Sequence, residues 1–105
     1  MIGRIWHGWT TPQYADAYET LLKTQIFPGI LARSISGFRR IELMRRPSGD
    51  EIEFVTLMWF DTMDDVRTFA GPQFEVAVVP AAARAVLKRF DDRSLHYEVR
   101  EAREA

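Results

Sequence analysis

Apolar and polar residues alternate from Ile2 to Trp9, with Ile5, His7 and Trp9 on one side and Arg4, Trp6 and Gly8 on the other. A period of two in β-branched and aromatic residues predicts a strand. Thr10-Thr11-Pro12 follows. Thr11 is placed to cap the free N–H groups of a helix, and Pro12 suits the first helical position, where its missing N–H is no loss. The period then changes: Tyr14, Ala17, Tyr18, Leu21, Leu22 and Ile26 form one stripe at three- and four-residue spacing. This predicts a helix over 12–25, ended by Pro28-Gly29. Residues 30–36 read as an irregular or one-turn segment.

Alternation returns over 37–46, with Phe38, Arg40, Glu42 and Met44 set against Arg39, Ile41, Leu43 and Arg45. Pro47-Ser48-Gly49-Asp50 reads as a turn, and 51–60 is dense in strand formers, so the two runs predict an antiparallel hairpin. Thr62 opens a second helix. Asp65, three positions after the cap, completes a capping box, and Asp64 adds to the favourable charge at that end. Gly71-Pro72 breaks this helix. Residues 73–79 are read as a turn, Pro80 as the start of a helix to about residue 88, 94–100 as a last strand and 101–105 as a frayed polar tail.

The order is β-α-β-β-α-β over a single domain, residues 1–105, and it predicts an α+β, ferredoxin-like fold with an antiparallel sheet. Helices on one side leave the other side of such a sheet bare. An identical sheet would cover it, which predicts a homodimer.

Composition narrows the function. Lys plus Arg is 14 and Asp plus Glu is 15, for a net charge of -1. No run of four basic residues exists, so neither nucleic acid nor a membrane is an expected partner. Cysteine is absent, which removes disulfides, thiolate metal sites and a cysteine nucleophile together. The first residues lack the apolar core and cleavage site of a signal peptide, no apolar run approaches a membrane span, and the cytoplasm is the expected location. Trp 3, Tyr 3 and Phe 7 are more large apolar area than a lone small core needs, which points to an interface or a pocket.

Several segments together resemble the antibiotic biosynthesis monooxygenase family, whose members are dimeric α+β barrels. They are Arg4-Ile5-Trp6-His7-Gly8-Trp9, Phe54-Val55-Thr56-Leu57-Met58-Trp59, Phe69-Ala70-Gly71, Ala77-Val78-Val79-Pro80 and His96-Tyr97-Glu98-Val99. The resemblance implies a small oxygenase that acts on an aromatic or polycyclic molecule without a bound metal or flavin. It also places Trp59 where the family has a site tryptophan, lining a pocket between sheet and helices. Two departures stand out. The chain contains no asparagine, and its histidines, His7 and His96, both fall on predicted strands. Haem-degrading members use an asparagine and a helical histidine, so haem degradation is not expected, and the oxygenases too rely on an asparagine near the site.

The catalytic candidates are His7 for proton transfer, Trp59 for orienting an aromatic ring and Arg4 for stabilising an anion such as a carboxylate or phenolate. Trp6, Trp9, Tyr14, Tyr18 and Leu57 are the candidate substrate-binding residues, with Tyr14 and Tyr18 one helical turn apart. Each has a plainer reading as well: Trp59 as a core or interface anchor, His7 as a satisfied histidine in an aromatic core or at a dimer seam, Arg4 as an edge ion pair. His96 is read as structural, with pairing across a dimer as one role. No metal-ligand spacing, phosphate loop or nucleophile elbow is present. Two other functions stay open: a small-ligand-binding or stress-related dimer without turnover, and a cofactor-free isomerase or decarboxylase with His7 as base.

Overall fold

The computed structural model describes all 105 residues, Met1–Ala105. One antiparallel sheet holds β1 (Ile2–Thr10), β2 (Phe38–Ser48), β3 (Glu51–Phe60), β4 (Arg89–Phe90) and β5 (Leu95–Glu98). β3 lies between β2 and β1, and β4 and β5 pair in succession along the far edge of β1. The ferredoxin-like α+β reading holds. The final strand differs from expectation because the edge of β1 captures an earlier segment. Lys88 N donates to Trp9 O at 2.8 Å and Asp91 N to His7 O at 3.0 Å. Those bonds stop the expected helix over 80–88 at one turn, α4 (Ala81–Arg84), and add the short strand β4.

The first helical stretch runs through the proline expected to end it. A 3₁₀ turn at Pro12–Tyr14 leads into α1 (Ala15–Leu21), a π turn over Leu22–Ile26 and α2 (Phe27–Ala32). A proline ring in a regular helix clashes with the carbonyl four residues back, and the wider π turn just before Pro28 relieves that clash. The Thr11 side chain makes no capping bond, and its hydroxyl is buried without a partner, contrary to the capping role read from sequence. Tyr14 falls in the 3₁₀ turn, off the apolar stripe, and is 45% exposed.

The β2–β3 hairpin is tighter than expected. Ser48 pairs with Glu51, so the loop is only Gly49-Asp50, with Gly49 at φ 61. A two-residue loop with positive φ at its first position matches the right-handed twist of the strands. A bulge between Phe38 and Arg40 breaks the expected alternation of β2. Phe38 therefore turns to the helix side, its ring 5.2 Å from Phe60, while Arg40, Glu42 and Met44 stay on the other. The capping box of α3 (Met63–Ala70) forms as read, with Thr62 Oγ1 accepting from Asp65 N and Asp65 accepting from Thr62 N.

Residues directly opposed across an antiparallel pair share a face, so the register assigns both sides of the sheet. Ile2, Arg4, Trp6 and Gly8 of β1 face the helices with Phe54, Thr56, Met58 and Phe60 of β3. Two buried clusters form there. Phe54 packs with Ala15, Tyr18 and Leu22, and Phe60 packs with Ile2, Met58 and Val66. The opposite side carries Ile5, His7, Trp9, Val55, Leu57, Trp59, Met44, Leu95 and Tyr97, and no helix crosses it.

Candidate functional site

Between the two core clusters the helix side of the sheet is incompletely filled. A half-open cavity of about 110 Å³ remains, with 13 hydrophobic residues among the 17 that line it. Trp6 and Arg4 of β1 form part of its floor with Ile41, Thr56 and Met58, and Tyr18, Leu22 and Ile26 come from the first helical stretch. Phe69 of α3 and the segment Ala77–Pro80 close the sides. Trp6 is held by its indole N–H, which donates to Asp91 O at 2.8 Å. Tyr18 meets Phe54 edge to face at 4.9 Å, and burial pushes its hydroxyl pKa up.

Arg4 is the only charged residue of the lining and is 5% exposed. Its Nη1 donates to Phe74 O at 2.6 Å and lies 2.9 Å from His96 Nε2, and the guanidinium carbon sits 5.6 Å from the centre of the Phe69 ring. Every ion pair of the chain draws on other cations, and no carboxylate lies within pairing distance of Arg4. Burial alone pushes its pKa down to about 10, still fully charged near neutrality. A buried cation without a counter-ion is costly, and its Nε and Nη2 donors remain free for a ligand. The edge ion pair considered for Arg4 does not form.

The sequence candidates separate by face. Arg4, Trp6 and Tyr18 converge on the cavity, whereas Tyr14 stands outside it. His7, Trp9, Leu57 and Trp59 lie on the bare side, so Trp59 does not line a pocket between sheet and helices. Its indole rests over Gly3, where a Cβ would come 3.4 Å from the ring, and its N–H donates to Glu42 at 2.7 Å. His7 stacks on Trp9 and places Nδ1 3.3 Å from Asp91 and Nε2 3.8 Å from Glu53. No three histidine and carboxylate side chains converge as metal ligands would.

His96 was read as structural, yet register puts it opposite Arg4, on the cavity side of the sheet. Burial, and then the neighbouring guanidinium, lower its pKa. Only the pairing of β5 with β1 brings the two together, and no spacing in the sequence encodes it. Thr56 and Met58 were legible, since they alternate with Leu57 and Trp59.

A ferredoxin-like domain with an apolar cavity and one buried cation is the class that the fold and site define, and the fold is the one implied by the resemblance to the antibiotic biosynthesis monooxygenases. Among solved structures, the chain is similar to a variant of SnoaB, a cofactor-independent oxygenase from Streptomyces nogalater, at TM-score 0.65 and 20% identity over 96% of this chain and 94% of that one. It is similar to a monooxygenase from the gene ActVA-Orf6 of Streptomyces coelicolor, solved with the ligand Nanaomycin D, at TM-score 0.63 and 14% identity over 99% and 91%. Rv0793 from Mycobacterium tuberculosis follows at TM-score 0.54 and 20% identity over 99% and 97%. No family model and no curated protein matches the chain.

Proposed function

We propose that this chain is a small cofactor-independent monooxygenase of the antibiotic biosynthesis monooxygenase type, acting on an aromatic or polycyclic anion and working as a homodimer. The observation that carries the reading is Arg4: a buried guanidinium without a carboxylate, in the lining of an otherwise apolar cavity. The likeness to two oxygenases of the same fold supports it.

A planar phenol or anthrone-like substrate would lie against Trp6 and Tyr18 with its oxygen toward Arg4. The guanidinium favours the oxyanion, and the dry walls strengthen that attraction while excluding water. The electron-rich ring then reacts with O₂ itself. In an anthrone, loss of one CH₂ proton gives the oxyanion; one atom of O₂ bonds to that carbon, the O–O bond breaks, and the other oxygen leaves as water with the remaining hydrogen and the returned proton, so that the CH₂ becomes C=O. The protein supplies orientation and charge.

Comparison of product formation with and without O₂, using an anthrone as substrate, tests this. Oxygen-dependent conversion to the quinone is expected, and turnover unaffected by removing O₂ contradicts it. The non-catalytic binder is the second reading, favoured by the absence of any histidine or carboxylate from the cavity lining. It gives saturable binding without product. The isomerase or decarboxylase reading relied on His7, which faces away from the cavity.

The bare side supports the dimer. Met44, Leu95 and Tyr97 there are 49%, 51% and 57% exposed, and they continue a surface formed by Ile5, Val55 and Leu57. A second copy offers the same apolar surface in return, as two-fold association requires. His7, Trp9, Leu57 and Trp59 would then sit at the seam.

A further inference from the structure

We infer that His96, as a neutral imidazole, is the positioning residue that aims Arg4 into the cavity, so that the anion site is assembled only while His96 is unprotonated. The inference rests on Arg4 as the anion anchor and adds a second residue and a pH dependence to it. Two observations carry it. Arg4 Nη1 and His96 Nε2 lie 2.9 Å apart, and an arginine nitrogen can only donate. His96 Nε2 must therefore be the bare, accepting nitrogen, with the ring proton on Nδ1. The second observation is that His96 does not itself line the cavity; it borders a separate polar hollow with Glu75 and Arg93. It acts through Arg4.

Protonation removes the acceptor and sets an imidazolium against a guanidinium. The groups facing His96 are Arg4 from β1, the edge of the Phe74 ring at 5.3 Å, and Glu75 from the loop after α3. Glu75 is already tied to Arg93 at 3.0 Å. The charged imidazole is thus drawn toward Glu75 and the polar hollow, and Arg4 keeps only the Phe74 carbonyl to fix its Nη1. The guanidinium loses its aim, and an anion in the cavity loses its bidentate partner.

The first test needs no ligand. Nitrogen-15 spectra of the two imidazoles near neutral pH should show His96 protonated at Nδ1 and bare at Nε2, and an Nε2–H tautomer overturns the pairing. The second uses 1-hydroxy-2-naphthoate, whose carboxylate stays ionised through the range, as a fluorescent probe. Its affinity for the wild type should fall about tenfold between about pH 7.5 and pH 5. His96→Gln, which keeps an acceptor and cannot titrate, should bind like the wild type at the higher pH and stay flat. His96→Leu should bind about tenfold more weakly at both. A flat wild type, tighter binding in acid, or a slope retained in His96→Gln overturns the role of His96. Should His96→Leu fail to fold, the spectra and His96→Gln decide. Absence of naphthoate binding to the wild type at any pH overturns the anion site as well, whereas equal binding by wild type and His96→Leu removes His96 alone.

Discussion

Arg4 and His96 face each other across β1 and β5 with their nitrogens 2.9 Å apart, and while they are hydrogen-bonded only one of the two is charged. The charged one is Arg4, because its pKa of about 10 lies far above that of a buried imidazole. A cation is thereby stored beside an apolar cavity with no anion of the protein's own to neutralise it.

Stability should record this. The folded state holds His96 below its ordinary value of 6.5, so the unfolded chain takes up the proton first as pH falls. Stability is then complete above pH 6.5 and declines as the pH drops toward the folded value. Urea midpoints of wild type and His96→Gln check it, with the wild type losing more between about pH 7 and pH 5. The carboxylates held low by ion pairs, Glu19, Glu51 and Asp61, act below this window.

Gly37 should be nearly irreplaceable. It adopts φ 81, and an added Cβ would fall 2.0 Å from Asp65 Oδ2, the carboxylate that closes the capping box of α3. Gly37→Ala should therefore cost about 2 kcal/mol or more in urea denaturation, from backbone strain plus a damaged cap. An unchanged midpoint would show that the loop before β2 relaxes freely.

The architecture was legible in the sequence where period and punctuation agreed. Thr62 to Asp65 read as a capping box and is one, and β3 covers the run 51–60 that is dense in strand formers. Pro28 misled because a π turn, which leaves no mark on the hydrophobic pattern, makes room for it. Strand alternation sorted Arg4 and Trp6 from His7 and Trp9, but it could not say which side the helices cover. Tertiary packing decides that, and it moved His7 and Trp59 away from the cavity. The Arg4–His96 pair depends on strand register across 92 residues, beyond the reach of local pattern.

Charge placed on the bare side should separate assembly from ligand binding. Leu57→Lys and Tyr97→Lys each put an ammonium into the apolar surface opposite the cavity. Sedimentation at micromolar concentration should show a wild-type dimer and monomeric variants. A monomeric wild type would remove the homodimer.

His7→Ala is expected to leave turnover of an anthrone within about threefold of wild type, since the imidazole lies across the sheet from the cavity. A loss of a hundredfold, about 2.7 kcal/mol, would restore His7 as a proton carrier.

Arg4→Gln keeps much of the side chain's volume and removes its charge. The oxygen-dependent kcat/KM for an anthrone, wild type against this variant, isolates what the buried guanidinium does. A fall of about 10- to 100-fold is predicted, the worth of a charged hydrogen bond in a dry site. Equal rates in the two proteins would contradict an oxyanion held at Arg4.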